Sequence, residues 1–309
     1  MLKQKEVENL VEKLVKKFSK IKTIIQFGSS VSGDYNKDFS DVDLAIIPSN
    51  KKIEKQIKNF IFKYHSSFEL QTHIFSARDF IKGLKEGLPI NLSIIYTGKQ
   101  LSGKGYFLKL KNRNFKPTKS TVRKCMLNSF AALGLAISDL THGMIFDPVN
   151  YIYHAARSSI WAALFDKHIT PNNKQIFILI NNKVITDLYR KMVRSREKPA
   201  YYGDDLSICE EIYKKGNINQ VTQMLKDATK LIKINYKKIF GKNFIGLFEL
   251  LNISKKRYAE IPKFYSILLS VDWENEILRY AVVLSFDDNK RLMLEVNANN
   301  GDIKEVLLK

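Results

Sequence analysis

The sequence is poor in several things, and each absence excludes something. Cysteine occurs twice in 309 residues, at Cys125 and Cys209. Two thiols make neither a disulfide framework nor a cysteine-based zinc site, and they suit a reducing compartment, so a cytoplasmic location is expected. No run approaches the ~18 consecutive apolar residues of a membrane span, so no membrane partner is expected. The first residues, Met1 to Leu14, carry charges throughout and contain no apolar signal segment. Acidic residues are scarce, 31 against 51 Lys and Arg, a formal net charge of +20. A chain that is 45% hydrophobic with 19 Phe and 14 Tyr is not disordered. Its length suggests two or three domains.

The charge is unevenly placed. Residues 241–309 carry equal numbers of acidic and basic side chains, so the whole excess lies in the first 240. Lys99 to Lys124 is the densest stretch, with nine basic residues, no acidic one, and Tyr106, Phe107 and Phe115 interleaved. Such a stretch attracts polyphosphates or nucleic acid, unless it is simply a solvated surface.

Periodicity divides the chain further. Val7, Leu10, Val11, Leu14, Val15 and Phe18 predict a helix over 3–19. Strands are expected at Thr23–Phe27, Val42–Ile47, Phe68–Phe75 and Ile90–Tyr96, with helices around 53–64 and 77–87. This is a small α/β domain over 1–108 with a mixed sheet. A polar linker is expected at 108–118. Four or five amphipathic helices follow over 119–242, broken at Asp147-Pro148, Thr170-Pro171, Lys198-Pro199 and Gly216. Residues 255–309 switch to period two and predict a small antiparallel β unit, with Asn300-Gly301 in its last turn. The expected fold class is α+β multidomain: an α/β domain, a helical bundle and a β unit.

The chemistry concentrates in Gln26 to Ile47, QFGSSVSGDYNKDFSDVDLAII. A strand ends at Gly28-Ser29, and Ser40-Asp41-Val42-Asp43 opens the next. Gly28 lets the backbone approach a phosphate, and Ser29 offers a hydroxyl and an N–H. Asp41 and Asp43 lie two apart on a strand and share a face. Two hard carboxylates there suit Mg²⁺, with water and phosphates completing the shell.

This pattern resembles the nucleotidyltransferase superfamily that includes DNA polymerase β, and among its members the minimal nucleotidyltransferases. The likeness covers residues 1 to about 105, with 11 residues between Ser29 and Asp41. The resemblance implies Mg²⁺ as cofactor and an NTP, with ATP favoured, as substrate. An NMP would pass to an acceptor hydroxyl with loss of pyrophosphate. Gly28, Ser29 and Ser40 would bind the nucleotide, and Asp41 and Asp43 the metal. Ser32 stands where many members have Arg. A third carboxylate is expected on FELQTHIF, where Glu69, Gln71 and His73 share a face. Matching the strand's end puts the acidic position at Gln71. Glu69 is therefore the candidate catalytic carboxylate only after a register adjustment. Otherwise the base comes from the helical domain, or the site is weakened and the chain is a nucleotide- or RNA-binding regulatory module.

Residues 120–240 resemble the HEPN family through Tyr153 to Leu164 and through Arg196-Glu197-Lys198 with Tyr201-Tyr202-Gly203-Asp204. No Arg is followed four to six residues later by His, so that family's RNase activity is not implied. The partners expected are a nucleoside triphosphate, an RNA (such as tRNA) or protein acceptor, and further copies of the chain.

Overall fold

A computed structural model of the chain describes residues 2–32, 41–64, 70–103, 105–141, 146–169, 183–196, 217–243, 256, 263–272, 277–285, 291–297 and 302–308. The chain divides into two compact units. One holds residues 1–121 and 167–179, the other 122–166 and 180–309.

The first unit is built on a four-stranded sheet of order β3-β2-β1-β4. Its strands are β1 (Ile21–Phe27), β2 (Val42–Pro48), β3 (Leu70–Ile74) and β4 (Lys99–Ser102). β1 runs antiparallel to β2 and β4, whereas β2 and β3 are parallel. Parallel neighbours need a crossover, here α3 (Lys51–Phe62).

The alternation of β1 and β2 sends side chains into two cores. Ile24, Val42, Leu44 and Ile46 pack with Val7, Leu10, Val11 and Leu14 of α1 (Leu2–Lys17) and Ile57 of α3. Ile25, Phe27, Ala45 and Ile47 pack on the other face against α4 (Ala77–Lys85), α5 (Pro89–Thr97) and α6 (Tyr106–Lys111). A short helix, α2 (Ser29–Ser32), follows β1 directly. β2 is buried on both faces, which explains its nearly continuous apolar run. Burying each such side chain contributes roughly 1.5–3 kcal/mol.

Two expectations are corrected. Ile90–Tyr96 is not a strand but most of α5. Pro89 occupies its first turn, where a missing N–H costs nothing. Asn91, Leu92, Ile94 and Ile95 are all buried, so no polar face reveals the helical period. The sheet's fourth strand is instead β4, a short polar edge. The start of the expected linker is also ordered. α6 buries Phe107 and Leu110 on one side and leaves its lysines outside.

The segment after α6 is fastened to this unit. The Tyr96 hydroxyl donates to the Phe115 carbonyl, and the buried Thr121 hydroxyl donates to the Gly87 carbonyl at 2.6 Å. Gly87 has φ +70, and a Cβ there would collide with the Thr121 oxygen.

The second unit contains most of α7 (Lys119–Thr141), with α8 (Phe146–Asp166), α9 (Lys183–Arg196) and α10 (Asn217–Phe240). α8 packs against α9 and α10. Polar groups between the helices are paired: Ser129 donates to the Ala155 carbonyl at 2.7 Å, and Asn235 to the Ser159 hydroxyl at 3.2 Å. The same unit carries the sheet β5 (Lys263–Asp272), β6 (Ile277–Ser285), β7 (Arg291–Asn297) and β8 (Ile303–Leu308). It is an antiparallel meander in chain order. α9 is described from Lys183; residues 170–182 before it lie outside the described residues.

Candidate active site

The site begins at the end of β1. Phe27 pairs with Asp43 across the antiparallel ladder, so the chain leaves the sheet beside the start of β2. Gly28 then takes φ +73, a conformation that favours glycine. Its bare α-carbon faces Asp43, and a Cβ there would overlap the Asp43 carboxylate. Glycine is required at this position twice over, by conformation and by space.

The turn into α2 is held by a relay. Buried Gln26 donates from Nε2 to the Ser30 hydroxyl at 3.1 Å, and Ser30 donates to the Phe27 carbonyl at 3.1 Å. Val31 N–H donates to the Gly28 carbonyl at 3.2 Å. The sequence reading missed Gln26, although a Gln in a buried β-branched strand is itself a signal, because it needs a partner.

On the other side, Asp43 pairs in register with Gln71 of β3. Asp43 and Gln71 therefore share a sheet face with Ala45 and His73. With its amide nitrogen turned to the carboxylates, Gln71 donates to Asp43 Oδ1 and to Asp41 Oδ2, both at 3.0 Å. Asp41 and Asp43 thus converge on one point, and a neutral donor sits there. Gln71 is exposed and the two aspartates half-buried, so the point opens to solvent.

His73 continues this face inward. Its ring lies 5.5 Å from Phe27 and stacks on Phe75 at 6.3 Å. Burial lowers its pKa, opposed in part by the charge of Asp41. Burial therefore favours the neutral imidazole.

Of the residues expected from sequence, the structure brings together Gly28, Asp41 and Asp43, with Ser29 next in chain at the head of α2. Ser40 and Glu69 lie outside the described residues. Among the described residues no group of three or more His, Cys, Asp or Glu converges as a metal site. The donor set at this point is two carboxylates and an amide. All of its oxygens are hard, and Mg²⁺ commonly takes only one or two protein carboxylates, so the set fits that cation.

Residues 7–103 match the family model of the nucleotidyltransferase domain. The general activity that goes with such a domain is nucleotidyl transfer from a nucleotide substrate. The matched residues contain the whole sheet and the carboxylate site. The matched region is thus built on a mixed four-stranded sheet with α1 and α3 on one face and α4 and α5 on the other. Among solved structures, the chain is similar to a nucleotidyltransferase-like protein from Exiguobacterium sibiricum 255-15. The two are 12% identical, with 84% of this chain and 82% of that chain covered and a TM-score of 0.35. No curated protein matches the sequence. Among the described residues no helix is long and apolar enough to cross a membrane.

Proposed function

We propose that the chain is a Mg²⁺-dependent nucleotidyltransferase that moves an NMP from an NTP to an acceptor hydroxyl. The observation that carries this reading is the convergence of Asp41 and Asp43 on one solvent-open point, with the Gly28 backbone against Asp43. Asp41 and Asp43 would hold Mg²⁺, and the Gln71 amide can turn its oxygen toward the same point. The metal, when bound, neutralises charge on the reacting phosphates. Gly28, Ser29 and Ser40 bind and orient the triphosphate, because a backbone without Cβ admits phosphate oxygens closely. Glu69, two residues before Gln71, is the proposed third carboxylate and general base. Catalysis then rests mainly on holding the acceptor hydroxyl in line with the α-phosphorus.

ATP is the nucleotide we favour. The acceptor fits RNA (such as tRNA) or a protein hydroxyl better than a cationic small molecule, because the excess +20 charge lies in the first 240 residues. The residue pattern of 119–242 supports a HEPN-like reading of the bundle, with residues 255–309 as a separate β unit. A homo-oligomer and a cytoplasmic location complete the proposal.

Gln71 favours a second reading. An amide where the family carries a carboxylate cannot take a proton from the acceptor, which suits a catalytically weakened nucleotide- or RNA-binding regulatory module. One experiment separates the two. The purified chain is incubated with Mg²⁺ and each α-labelled NTP, with total RNA or protein extract, beside Asp41→Ala/Asp43→Ala. Label transfer that disappears in the double variant supports the enzyme. NTP binding without transfer to any acceptor rejects it in favour of the module.

A further inference from the structure

A second concave surface lies away from the carboxylates, where α1 and α3 leave a groove of about 710 Å³. Its walls are three part-buried rings, Phe18, Phe60 and Tyr64, two exposed lysines, Lys17 and Lys63, and the exposed amides of Gln56 and Asn59. Among the described residues no acidic side chain lines it. Phe18 and Phe60 meet edge to face at 5.8 Å. The Lys17 ammonium stands 4.9 Å from the Phe60 ring centre and 5.9 Å from that of Phe18. Lys13 stands 5.4 Å from the Tyr64 ring.

The rings rest on the α1–α3 core yet stay only part-buried. Their outer sides turn to a groove whose remaining groups are cations and amides. The volume lies within the roughly 300–1,000 Å³ of ligand-binding clefts. Of the acids nearby, Glu54 is paired with Lys58 at 2.8 Å, whereas Glu6 sets a negative charge near Tyr64, where burial and then that charge push the phenol pKa up.

A ligand that suits this surface has flat π faces for the rings, negative charge for Lys13, Lys17 and Lys63, and hydrogen-bonding edges for the amides. A single-stranded polynucleotide has all three. A duplex hides its base faces, and an acidic peptide without aromatic side chains has none. We propose that the α1–α3 groove binds single-stranded polynucleotide, with bases on Phe18, Phe60 and Tyr64 and phosphates on the lysines. Binding here does not depend on the transferase chemistry, because it uses neither the carboxylates nor a metal.

The test uses the full chain carrying Asp41→Ala/Asp43→Ala, in EDTA, so that failure of the transferase reading leaves it untouched. Fluorescence anisotropy measures binding of labelled ten-nucleotide single-stranded RNA, the same sequence as DNA, a hairpin duplex, and a ten-residue polyglutamate. Phe18→Leu/Tyr64→Leu is expected to weaken either single strand about tenfold or more, the scale of losing stacked bases. Lys17→Gln/Lys63→Gln is expected to weaken it and to flatten the logarithmic salt slope by about 1.4. Lys52→Gln/Lys55→Gln, on α3 outside the groove, is expected to change little. Ultraviolet cross-linking of the parent chain to 5-iodouridine RNA should label the peptide holding Phe60 and Tyr64, which keeps the test decisive if the ring variant unfolds. Undiminished binding by a folded ring variant overturns the proposal. So does an equal loss with Lys52→Gln/Lys55→Gln, tighter binding of duplex or polyglutamate, or cross-links that avoid this peptide.

Discussion

Replacing Gln71 with Glu tests the heart of the carboxylate site. The native amide donates to Asp41 and Asp43 at 3.0 Å each, and Gln71→Glu removes both donors and adds a third negative charge at the same point. In this solvent-open setting each lost hydrogen bond costs about 1 kcal/mol. Each new pair of like charges near 4 Å costs about 1 kcal/mol at a water-like dielectric. The variant should therefore be less stable than the parent by about 4 kcal/mol at pH 8 in EDTA, measured by urea unfolding. The sign with pH follows from the new carboxyl. Beside two aspartates it keeps its proton to higher pH in the folded chain than in the unfolded one. The charge part of the deficit is therefore absent below the ordinary glutamate pKa of about 4.3, grows as pH rises above it and levels off above the raised folded value. On the proposed reading Mg²⁺ would bind the folded site and not the unfolded chain, so millimolar Mg²⁺ should restore stability to the variant more than to the parent. Equal stability of the two proteins at pH 8 in EDTA, with no differential response to Mg²⁺, would refute the convergence of Asp41, Asp43 and residue 71.

Three further outcomes are expected. Gly28→Ala must adopt a left-handed backbone at about 1–2 kcal/mol and displace the Asp43 carboxylate. Calorimetric titration should show nucleotide binding in Mg²⁺ lost well beyond the stability change, and full binding would contradict the site. Ser76→Ala removes the cap of α4, where the Ser76 hydroxyl accepts from Asp79 N–H at 3.2 Å and donates to the Asp79 carboxylate at 2.7 Å. It should cost about 1 kcal/mol in urea unfolding, and its absence would mean that water replaces the cap. Cys125 is buried, and burial pushes its thiol pKa far up. Its peptide should resist iodoacetamide at pH 8 in the native chain and label fully in urea, read by mass spectrometry. Native labelling would show that the start of α7 opens readily.

Much of this could be read in the residues themselves, and the exceptions have physical causes. β1 and β2 are legible because β-branched and aliphatic residues alternate into two cores. Gly28, Asp41 and Asp43 are legible because spacing on a strand fixes a face. α5 is not, because INLSIIY is buried on several sides and only Pro89 marks the helix. β4 escapes notice because KQLS is short, polar and at the sheet edge, where apolar patterning is not needed. α6 hides in a lysine-rich stretch whose two buried residues, Phe107 and Leu110, are three apart. Within the site, Gln71 was visible as the residue replacing an acid, but not as the donor between two aspartates. That role needs the parallel register of β3 on β2, a pairing that depends on the intervening crossover. Gln26 escapes for the same reason: its partner, Ser30, is met only after the chain has turned.

The Thr121–Gly87 and Tyr96–Phe115 hydrogen bonds bear on how such a chain can be cut and rejoined. The family likeness ends at residue 103, and a recombination event placed there would look clean in sequence. It would leave the Gly87 carbonyl without its buried donor, and the side chain of Tyr96 without its acceptor. The heritable cassette is therefore longer than the motif-bearing stretch and extends into the first turn of α7. Any exchange of the helical bundle for another partner would have to carry Thr121 along, or supply a hydroxyl in its place.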